Sequence, residues 1–326
     1  MPDLSTTYMG LHLKNPLVAG SSGLSATVEG VRELEKCGAG AVVLKSIFEE
    51  EIAAEYQKAT TDAAARGLSL EAYDYYDYQV RGDRVEAYVG LLKEARAAVA
   101  VPLIASINCT WSHEWVAFAR ELENAGASGL ELNMYFLPSD VKRSSQERET
   151  EYFRIVEKVL AQVHIPVALK ISSSFSTLAQ MIERLSRTGI AALVLFNRFY
   201  AIDFDIESFT ITGSSLLSTP QEITTPLRWV ALMARRVGCD LAASTGVHDG
   251  PALIKCLLAG AKAVQVASVL YTEGAGAIGG MLRELEGWMD RHGYRTLADF
   301  RGRMSQAESE DPAVFERVQF MRHYGA

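Results

Sequence analysis

The sequence lacks the features that mark membrane, secreted and iron–sulfur proteins. No apolar run approaches the ~20 residues that a membrane-spanning helix needs. Residues 1–5 do not have the charge and apolar pattern that opens a signal peptide. The four cysteines are scattered and form no Cys-x-x-Cys pair, which fits a reducing compartment and argues against an iron–sulfur or structural zinc site. We therefore predict a cytoplasmic protein that uses no metal ion and does not bind membranes.

A surplus of basic residues is also missing. Lysine and arginine together number 32 against 40 aspartates and glutamates, so the net charge is −8 and nucleic acid is disfavoured as a partner. No early Gly-x-Gly-x-x-Gly turn opens a helix, so the fingerprint of a dinucleotide-binding domain is absent. With 48% hydrophobic and 22% charged residues, the composition is that of a globular protein.

What the sequence does contain is a repeated alternation of short apolar strands with helices. The strands are almost continuously apolar, as in a parallel sheet that is covered on both faces. Eight such repeats favour a closed (β/α)₈ TIM barrel over an open sheet, and we predict one domain over residues 1–326. The predicted strands are residues 15–19, 41–44, 102–107, 129–132, 166–169, 191–196, 240–243 and 262–266.

Several segments lie outside this repeat. Residues 4–13 are predicted to form an N-terminal β-hairpin that plugs one end of the barrel. Insertions follow strands 2, 4 and 6: a long segment to residue 83 with an aromatic and acidic cluster at 73–78, an irregular loop over 135–150, and a segment over 199–225 that has the pattern of a small hairpin. Helices are predicted to begin at Val85 and Glu151 after the first two insertions.

Polar and small residues follow the strands, where a barrel of this kind carries its chemistry. Lysines at a barrel mouth can stabilise negative charge, and asparagine amides suit a ligand edge that carries both donors and acceptors. Small-residue turns after strands 7 and 8 expose backbone N–H groups that suit a phosphate. Together these groups describe a flavin mononucleotide (FMN) site. The predicted cofactor contacts are Ala19, Gly20, Ser21, Lys45, Ser46, Asn108, Asn133, Lys170, Ser244, Thr245, Gly246, Ala267 and Ser268.

An ordered set of motifs resembles the dihydroorotate dehydrogenase family, nearest its class 1 members. The similarity runs from about residue 4 to about residue 302 and is specific as a set. It implies an FMN-bearing barrel, a cytosolic location and a homodimer. The matching segments are residues 7–23, 44–46, 131–133, 169–170, 196–197, 244–250, 265–268 and 293–300.

The resemblance implies a role for each matched position. The backbone at 19–21 lies against the flavin, residues 45–46 stand at the flavin and substrate edge, and Asn133 contacts both. Lys170 faces the N1 and C2-carbonyl edge of the flavin, and Asn197 binds substrate. Thr245 and Gly246 form the phosphate grip together with Ala267 and Ser268. Substrate binding is thus expected from Lys45, Asn133 and Asn197.

The departures from the family pattern fall on the substrate side. After the Glu-Leu-Asn of strand 4, class 1 members continue Leu-Ser-Cys-Pro-Asn, whereas this chain has Met-Tyr-Phe-Leu-Pro-Ser-Asp over 134–140. The cysteine that serves as general base is thus replaced by Phe136. A glycine-rich turn after the strand 6 insertion is replaced by Leu-Ser-Thr-Pro at 217–220. We name Lys45, Tyr135 and Ser139 as the candidate catalytic residues, with His113 and His248 as further proton donors.

Three functions remain open from the sequence. The first is an FMN-dependent oxidoreductase acting on CH–CH groups, which transfers a hydride between flavin N5 and a small substrate. Dihydroorotate, of pyrimidine biosynthesis, is one candidate substrate and a different small molecule is the other. The second is a non-catalytic flavin-binding subunit of another redox enzyme, which the absence of the family's general base suggests. The third is a flavin-free barrel lyase that uses Lys45 or Lys170 as a Schiff-base amine.

Overall fold

The molecule is built around a parallel sheet that closes on itself. A computed structural model describes residues 1–48, 70–108, 115–198, 201–213 and 215–316; the side chains of residues 48, 70–83 and 115–117 are not part of that description. The barrel strands are β3 (Leu17–Ala19), β4 (Ala41–Val43), β6 (Leu103–Asn108), β7 (Gly129–Asn133), β8 (Val167–Ile171), β9 (Ala192–Leu195), β12 (Asp240–Ser244) and β13 (Ala263–Val266). Their neighbours run β4-β3-β13-β12-β9-β8-β7-β6, and a β4–β6 pairing closes the ring. The prediction of a (β/α)₈ TIM barrel is confirmed.

The barrel strands are buried because both of their faces are covered. Every residue of β6 and β7 is buried, as the continuous apolar runs in the sequence indicated. A short strand that was not predicted, β5 (Ile47–Phe48), follows β4 and pairs with the carboxyl end of β6. The pairing register places Asn108 opposite Asn133, and Asn133 opposite Lys170. Three of the predicted site residues therefore share one level at the carboxyl ends of the strands.

Helices cover the outside of the barrel. Thr27 caps the first of them by accepting a hydrogen bond from the Gly30 backbone N–H. The helices are α1 (Val28–Lys36), α2 (Leu70–Ala98), α3 (Trp115–Asn124), α4 (Ser145–Leu160), α5 (Leu178–Ser186), α6 (Thr224–Met233), α7 (Gly250–Ala259), α8 (Ser268–Thr272) and α9 (Ala277–His292). Among the described helices none is long and apolar enough to cross a membrane.

Two predicted helix starts are wrong. Helix α2 begins at Leu70 instead of Val85, so the aromatic and acidic cluster at 73–78 belongs to a helix. Helix α4 begins at Ser145 instead of Glu151, because Ser144 and Glu147 form a capping box that starts the helix within the predicted loop. The remainder of the long insertion after β4, residues 49–69, lies outside the described residues.

Two hairpins complete the fold, and both were predicted. Strands β1 (Thr6–Tyr8) and β2 (Leu11–Leu13) form the N-terminal plug, whose buried side chains pack against the floor of the barrel. Strands β10 (Ile202–Asp205) and β11 (Thr210–Gly213) form the hairpin of the insertion after β9. All residues of β10 and β11 are exposed, including the apolar Phe204 and its cross-strand partner Ile211. The second hairpin therefore projects an uncovered apolar face into solvent.

Candidate functional site

The carboxyl ends of β6 to β9 bring amide side chains together. Asn197 follows β9 and its Nδ2 donates to Oδ1 of Asn133 at 2.6 Å, which fixes the orientation of both amides. The Asn197 Oδ1 accepts from the backbone N–H of Arg198. Asn108 is buried beside Asn133, and its Oδ1 has no hydrogen-bond partner among the described residues. A buried acceptor of this kind is typically satisfied by a ligand or an ordered water.

A charged network lies directly below this row. Lys170 Nζ donates to Oε1 of Gln265 at 2.9 Å, and the Gln265 Nε2 donates to Oε2 of Glu131. The second Glu131 oxygen lies 3.9 Å from Lys170 Nζ. The Glu131 side chain is 1% exposed and that of Lys170 is 12% exposed. The network thus joins three barrel strands and presents the lysine upward to the mouth.

Hydroxyl groups line the side of the mouth formed by β3, β4 and β6. Ser46 Oγ lies 2.9 Å from Ser21 Oγ and 2.7 Å from Ser106 Oγ. Tyr88 of α2 holds Ser106, since its hydroxyl accepts from the Ser106 backbone N–H at 2.9 Å. Burial raises the pKa of Tyr88 well above its ordinary value, so its hydroxyl stays neutral. This side of the mouth therefore offers neutral hydrogen-bonding groups.

The turn after β12 has a backbone that a side chain would obstruct. Thr245 and Gly246 adopt φ values of 84° and 78°, and the Thr245 hydroxyl donates to the Phe196 carbonyl. A Cβ on Gly246 would stand 2.1 Å from the backbone nitrogen of Ile223, so only glycine fits. Glycine here lets the turn lie directly against the segment that begins α6. The two backbones approach each other as closely as glycine allows.

Ser218 connects the insertion after β9 to the turn that contains Gly246. Its Oγ accepts from the Gly246 backbone N–H at 3.3 Å, donates to Ser268 Oγ at 3.0 Å and lies 3.2 Å from His248 Nε2. Arg198 fixes this leg of the insertion by donating to Glu222 Oε1 at 2.7 Å and to the Ser215 carbonyl. Sequence reasoning gave Ser218 no role and considered His248 only as a proton donor.

A cavity of about 150 Å³ opens among these groups. It brings together predicted residues from β3, β8, β9, β12 and β13 with Arg198 and Ser218, which were not predicted. The predicted residues that line it are Ser21, Lys170, Asn197, Ser244, Thr245, Gly246, Ala267 and Ser268. Ala19 and Gly20 lie buried at the end of β3, where the Gly20 N–H donates to the Val266 carbonyl.

The three predicted catalytic residues do not line that cavity. Lys45 and Tyr135 are half-buried, and Ser139 is exposed in the loop after β7. Ser139 donates its backbone N–H to the Leu137 carbonyl two residues earlier. His113 lies outside the described residues. The structure therefore brings eight of the predicted residues to one cavity, while the cofactor, substrate and catalytic roles stay predictions.

Comparison with known sequences identifies the family of the chain. The sequence model described as dihydroorotate dehydrogenase matches residues 3–289, which is most of the chain. The chain belongs to the dihydroorotate dehydrogenase family. The catalytic subunit of dihydroorotate dehydrogenase B (NAD⁺) from Thermoplasma volcanium is 26% identical over 315 residues, which cover 93% of this chain and 98% of the relative.

Relatives with other names are similarly distant. A putative dihydroorotate dehydrogenase A (fumarate) from Aeropyrum pernix is 27% identical, over 92% of this chain and 97% of the relative. Dihydroorotate dehydrogenase A (fumarate) from Lactococcus lactis subsp. lactis is 24% identical, over 92% and 99%. The family resemblance identified in the sequence is confirmed, and the chain matches its relatives over almost their full length.

In this member of the dihydroorotate dehydrogenase family, the loop after β7 contributes to an aromatic cluster. Phe136 packs edge-on against Tyr152 with ring centroids 5.2 Å apart, and Tyr152 packs likewise against Phe175 at 5.3 Å. Burial raises the pKa of Tyr152 to about 12, so its hydroxyl is a poor base at neutral pH. These rings border a cavity of about 380 Å³. Phe136, which the sequence predicts to stand in place of the family cysteine, is therefore part of an aromatic cluster.

Proposed function

We propose that the protein is an FMN-dependent oxidoreductase that acts on a small substrate. The observation that carries this proposal is that Lys170 and Asn197, whose amide is paired with that of Asn133, line one cavity together with the Gly246 turn. Cationic and amide groups suit the ring of a flavin, and exposed backbone N–H groups suit its phosphate. Membership of the dihydroorotate dehydrogenase family supports an oxidoreductase.

The residues of the mouth fit the cofactor at both of its ends. The buried Asn108 Oδ1, which has no partner among the described residues, offers an acceptor at the level of Asn133 and Lys170. The Gly246 N–H and the hydroxyls of Ser218 and Ser268 converge on one another within hydrogen-bonding distance. Hydroxyls and N–H groups are the donors that phosphate oxygens accept from. Thr245, Ala267 and Ser244 complete the walls of this end.

FMN, when bound, supplies a two-electron acceptor at its N5 position. The role proposed for Lys170 is to stabilise negative charge at the opposite edge of the ring. Asn133 and Asn197 orient the substrate through their paired amides, and Lys45 with Ser46 borders the same edge. Lys45, Tyr135 and Ser139 remain the candidates for moving the proton. A general acid or base contributes about 10²–10⁴-fold to a rate, so variants can identify it.

The substrate is the point on which the structure adds most to the proposal. Phe136, Tyr152 and Phe175 form an apolar wall where the family cysteine is expected. A dihydroorotate ring beside this wall leaves polar groups unpaired, at a cost of about 1–3 kcal/mol each. We therefore favour a small substrate other than dihydroorotate, with an apolar or aromatic portion. Dihydroorotate itself is tested directly, by adding it to the flavin-loaded protein.

The decisive experiment combines a visible spectrum of the purified protein with mass identification of the released cofactor. A flavin spectrum and the mass of FMN support the proposal. A colourless protein that binds neither added FMN nor riboflavin contradicts it and makes borohydride trapping of a lysine adduct the next measurement. Anaerobic mixing with dihydroorotate then separates the two substrates, because bleaching of the flavin occurs only if dihydroorotate is oxidised.

The apolar wall also favours a second candidate, a flavin-binding subunit that has no turnover of its own. Such a subunit needs the residues that bind the cofactor but needs no proton donor. A phenylalanine in place of the family cysteine is consistent with that requirement. Co-purification with a redox partner, together with flavin reduction only in that complex, distinguishes this candidate from a complete enzyme.

We also propose that the protein is a homodimer. The hairpin of β10 and β11 exposes Ile202, Phe204 and Ile211, and Phe209 at its turn is 92% exposed. An uncovered apolar patch of this kind marks an interaction surface. Light scattering of the wild type and of Phe204→Ser measures the association. A monomeric wild type contradicts this part of the proposal.

A further inference from the structure

Glu131 is a buried carboxylate for which the proposed function has so far no use. It lies on β7 between Leu130 and Leu132, with its side chain inside the barrel and 1% exposed. Burying a carboxylate costs several kcal/mol unless it is paired. An ion pair in such a place is weak evidence for stability, since an apolar residue of similar volume often serves as well. A function for its charge is therefore worth seeking.

The contacts of Glu131 all lead toward Lys170. Its Oε2 accepts from the Gln265 amide, whose Oε1 in turn accepts from Lys170 Nζ at 2.9 Å. Glu131 thus fixes which way the Gln265 amide points, and the amide holds the lysine. Its Oε1 has no hydrogen bond among the described residues and lies 3.9 Å from Lys170 Nζ. The carboxylate is close enough to offset the charge of the ammonium without hydrogen bonding to it.

Two buried tyrosine hydroxyls lie close enough to feel the charge of Glu131. The Tyr8 hydroxyl of the N-terminal plug is buried below it, and burial followed by the charge of Glu131 raises the Tyr8 pKa well above its ordinary value. Tyr88 approaches from α2 and also feels this charge. Within the described ranges, Lys170 is the cation that lies in ion-pairing distance of Glu131.

We propose that Glu131 is a positioning residue that holds Lys170 through Gln265 and partly offsets the positive charge of the lysine. The site then binds reduced flavin less strongly, relative to oxidised flavin, than it would with Lys170 and no carboxylate. The inference rests on the proposed function. Lys170 favours the reduced cofactor because that form carries more negative charge near the lysine. A fixed carboxylate nearby opposes the same charge. The consequence is a cofactor that gives up its electrons more readily to an acceptor.

The test compares the affinities of oxidised and reduced FMN for wild type, Glu131→Gln, Lys170→Met and the double variant. Glu131→Gln keeps the acceptor for Gln265 and removes the charge. We expect it to raise the ratio of the oxidised to the reduced dissociation constant at least tenfold, which is a rise of ~30 mV in the midpoint potential of a two-electron couple. Lys170→Met changes this ratio in the opposite direction.

The double variant separates charge from structure. Because the proposed effect acts through Lys170, Glu131→Gln in the Lys170→Met background changes the ratio by less than about threefold. This comparison with Lys170→Met also serves if Glu131→Gln alone fails to fold. A tenfold difference in the ratio between Lys170→Met and the double variant overturns the proposal. A ratio in Glu131→Gln equal to that of the wild type also overturns it. A merely structural role weakens both redox forms equally. If wild type binds no flavin at all, the proposed function fails as well.

Discussion

The two sides of the barrel mouth differ in how the chain builds them. On the side of β12, β13 and the return leg of the insertion, backbone, hydroxyls and a glycine meet within hydrogen-bonding distance. On the side of the loop after β7, aromatic rings pack at the position predicted to replace the family's base. We propose that the first side holds the cofactor and that the second determines the substrate. If so, cofactor and substrate recognition are separable, and the following experiments test that separation.

The largest effect on both cofactor affinity and stability is expected on the cofactor side, from Gly246→Ala. The new Cβ meets the Ile223 backbone at 2.1 Å, and alanine is strained at a φ of 78°. We expect FMN affinity to fall at least ~100-fold and unfolding free energy to fall by ~3 kcal/mol or more, as for other strained and overpacked positions. FMN fluorescence titration and urea unfolding measure the two quantities.

A matched control exists for this substitution. Gly274 has a φ of 80°, and no heavy atom lies within 4 Å of the place that a Cβ would take, so Gly274→Ala adds the backbone strain without the collision. The expected cost is about 1 kcal/mol, with FMN affinity unchanged. Equal effects of the two substitutions would show that the close approach at Gly246 is unimportant.

The second effect concerns the substrate side. Tyr135→Phe and Ser139→Ala each remove one hydroxyl from the loop after β7. With any donor that reduces the flavin, we expect the variant that lacks the proton-transferring group to be reduced about 10²–10⁴-fold more slowly. Stopped-flow absorbance measures the rate, and FMN affinity stays at the wild-type value in both. If neither variant slows reduction, the proton is moved by another group and both assignments are wrong.

A smaller effect is expected from Ser218→Ala. The hydroxyl contributes to the predicted phosphate end alone, so FMN affinity falls about tenfold, or 1–1.5 kcal/mol, for one hydrogen-bonding group. Riboflavin, which has no phosphate, binds the variant and the wild type alike. Ser215→Ala is the control, since Ser215 lies in the same leg and its hydroxyl donates to the Leu217 carbonyl, away from the Gly246 turn. An equal loss for riboflavin would place Ser218 away from the phosphate.

The smallest effect on the cofactor is expected from Phe136→Ala. Losing the ring removes its packing against Tyr152 and costs about 1–3 kcal/mol of unfolding free energy, less than for a fully buried phenylalanine. FMN affinity nevertheless stays within about twofold. A larger loss would mean that the two sides of the mouth are coupled and that the comparison above does not hold.

The parts of the molecule that depend on local patterns were predictable. Continuous apolar runs identified the barrel strands, and the ends of those strands located Asn108, Asn133 and Lys170. The start of α4 was missed although its signal, a serine followed three residues later by glutamate, is present at 144 and 147. The importance of Glu131 could also have been recognised from the sequence, since a carboxylate within an apolar strand must be paired when it is buried.

Other parts depend on tertiary contacts that no local pattern reveals. Ser218 reaches the Gly246 turn only because Arg198 and Glu222 fix the leg of the insertion that carries it. The cluster of Phe136 with Tyr152 joins a loop and a helix whose packing follows from the closure of the barrel. Sequence reasoning therefore located the ends of the strands but not the insertions that reach over them.

The contact between Gly246 and Ile223 has a consequence for changing the length of the chain. It fixes the end of the insertion after β9, whereas the turn between Ile206 and Phe209 touches solvent. Extra residues at that turn leave the fixed end where it is. Lengthening the hairpin at its tip is thus a way to disturb the proposed dimer contact while the Gly246 turn keeps its place.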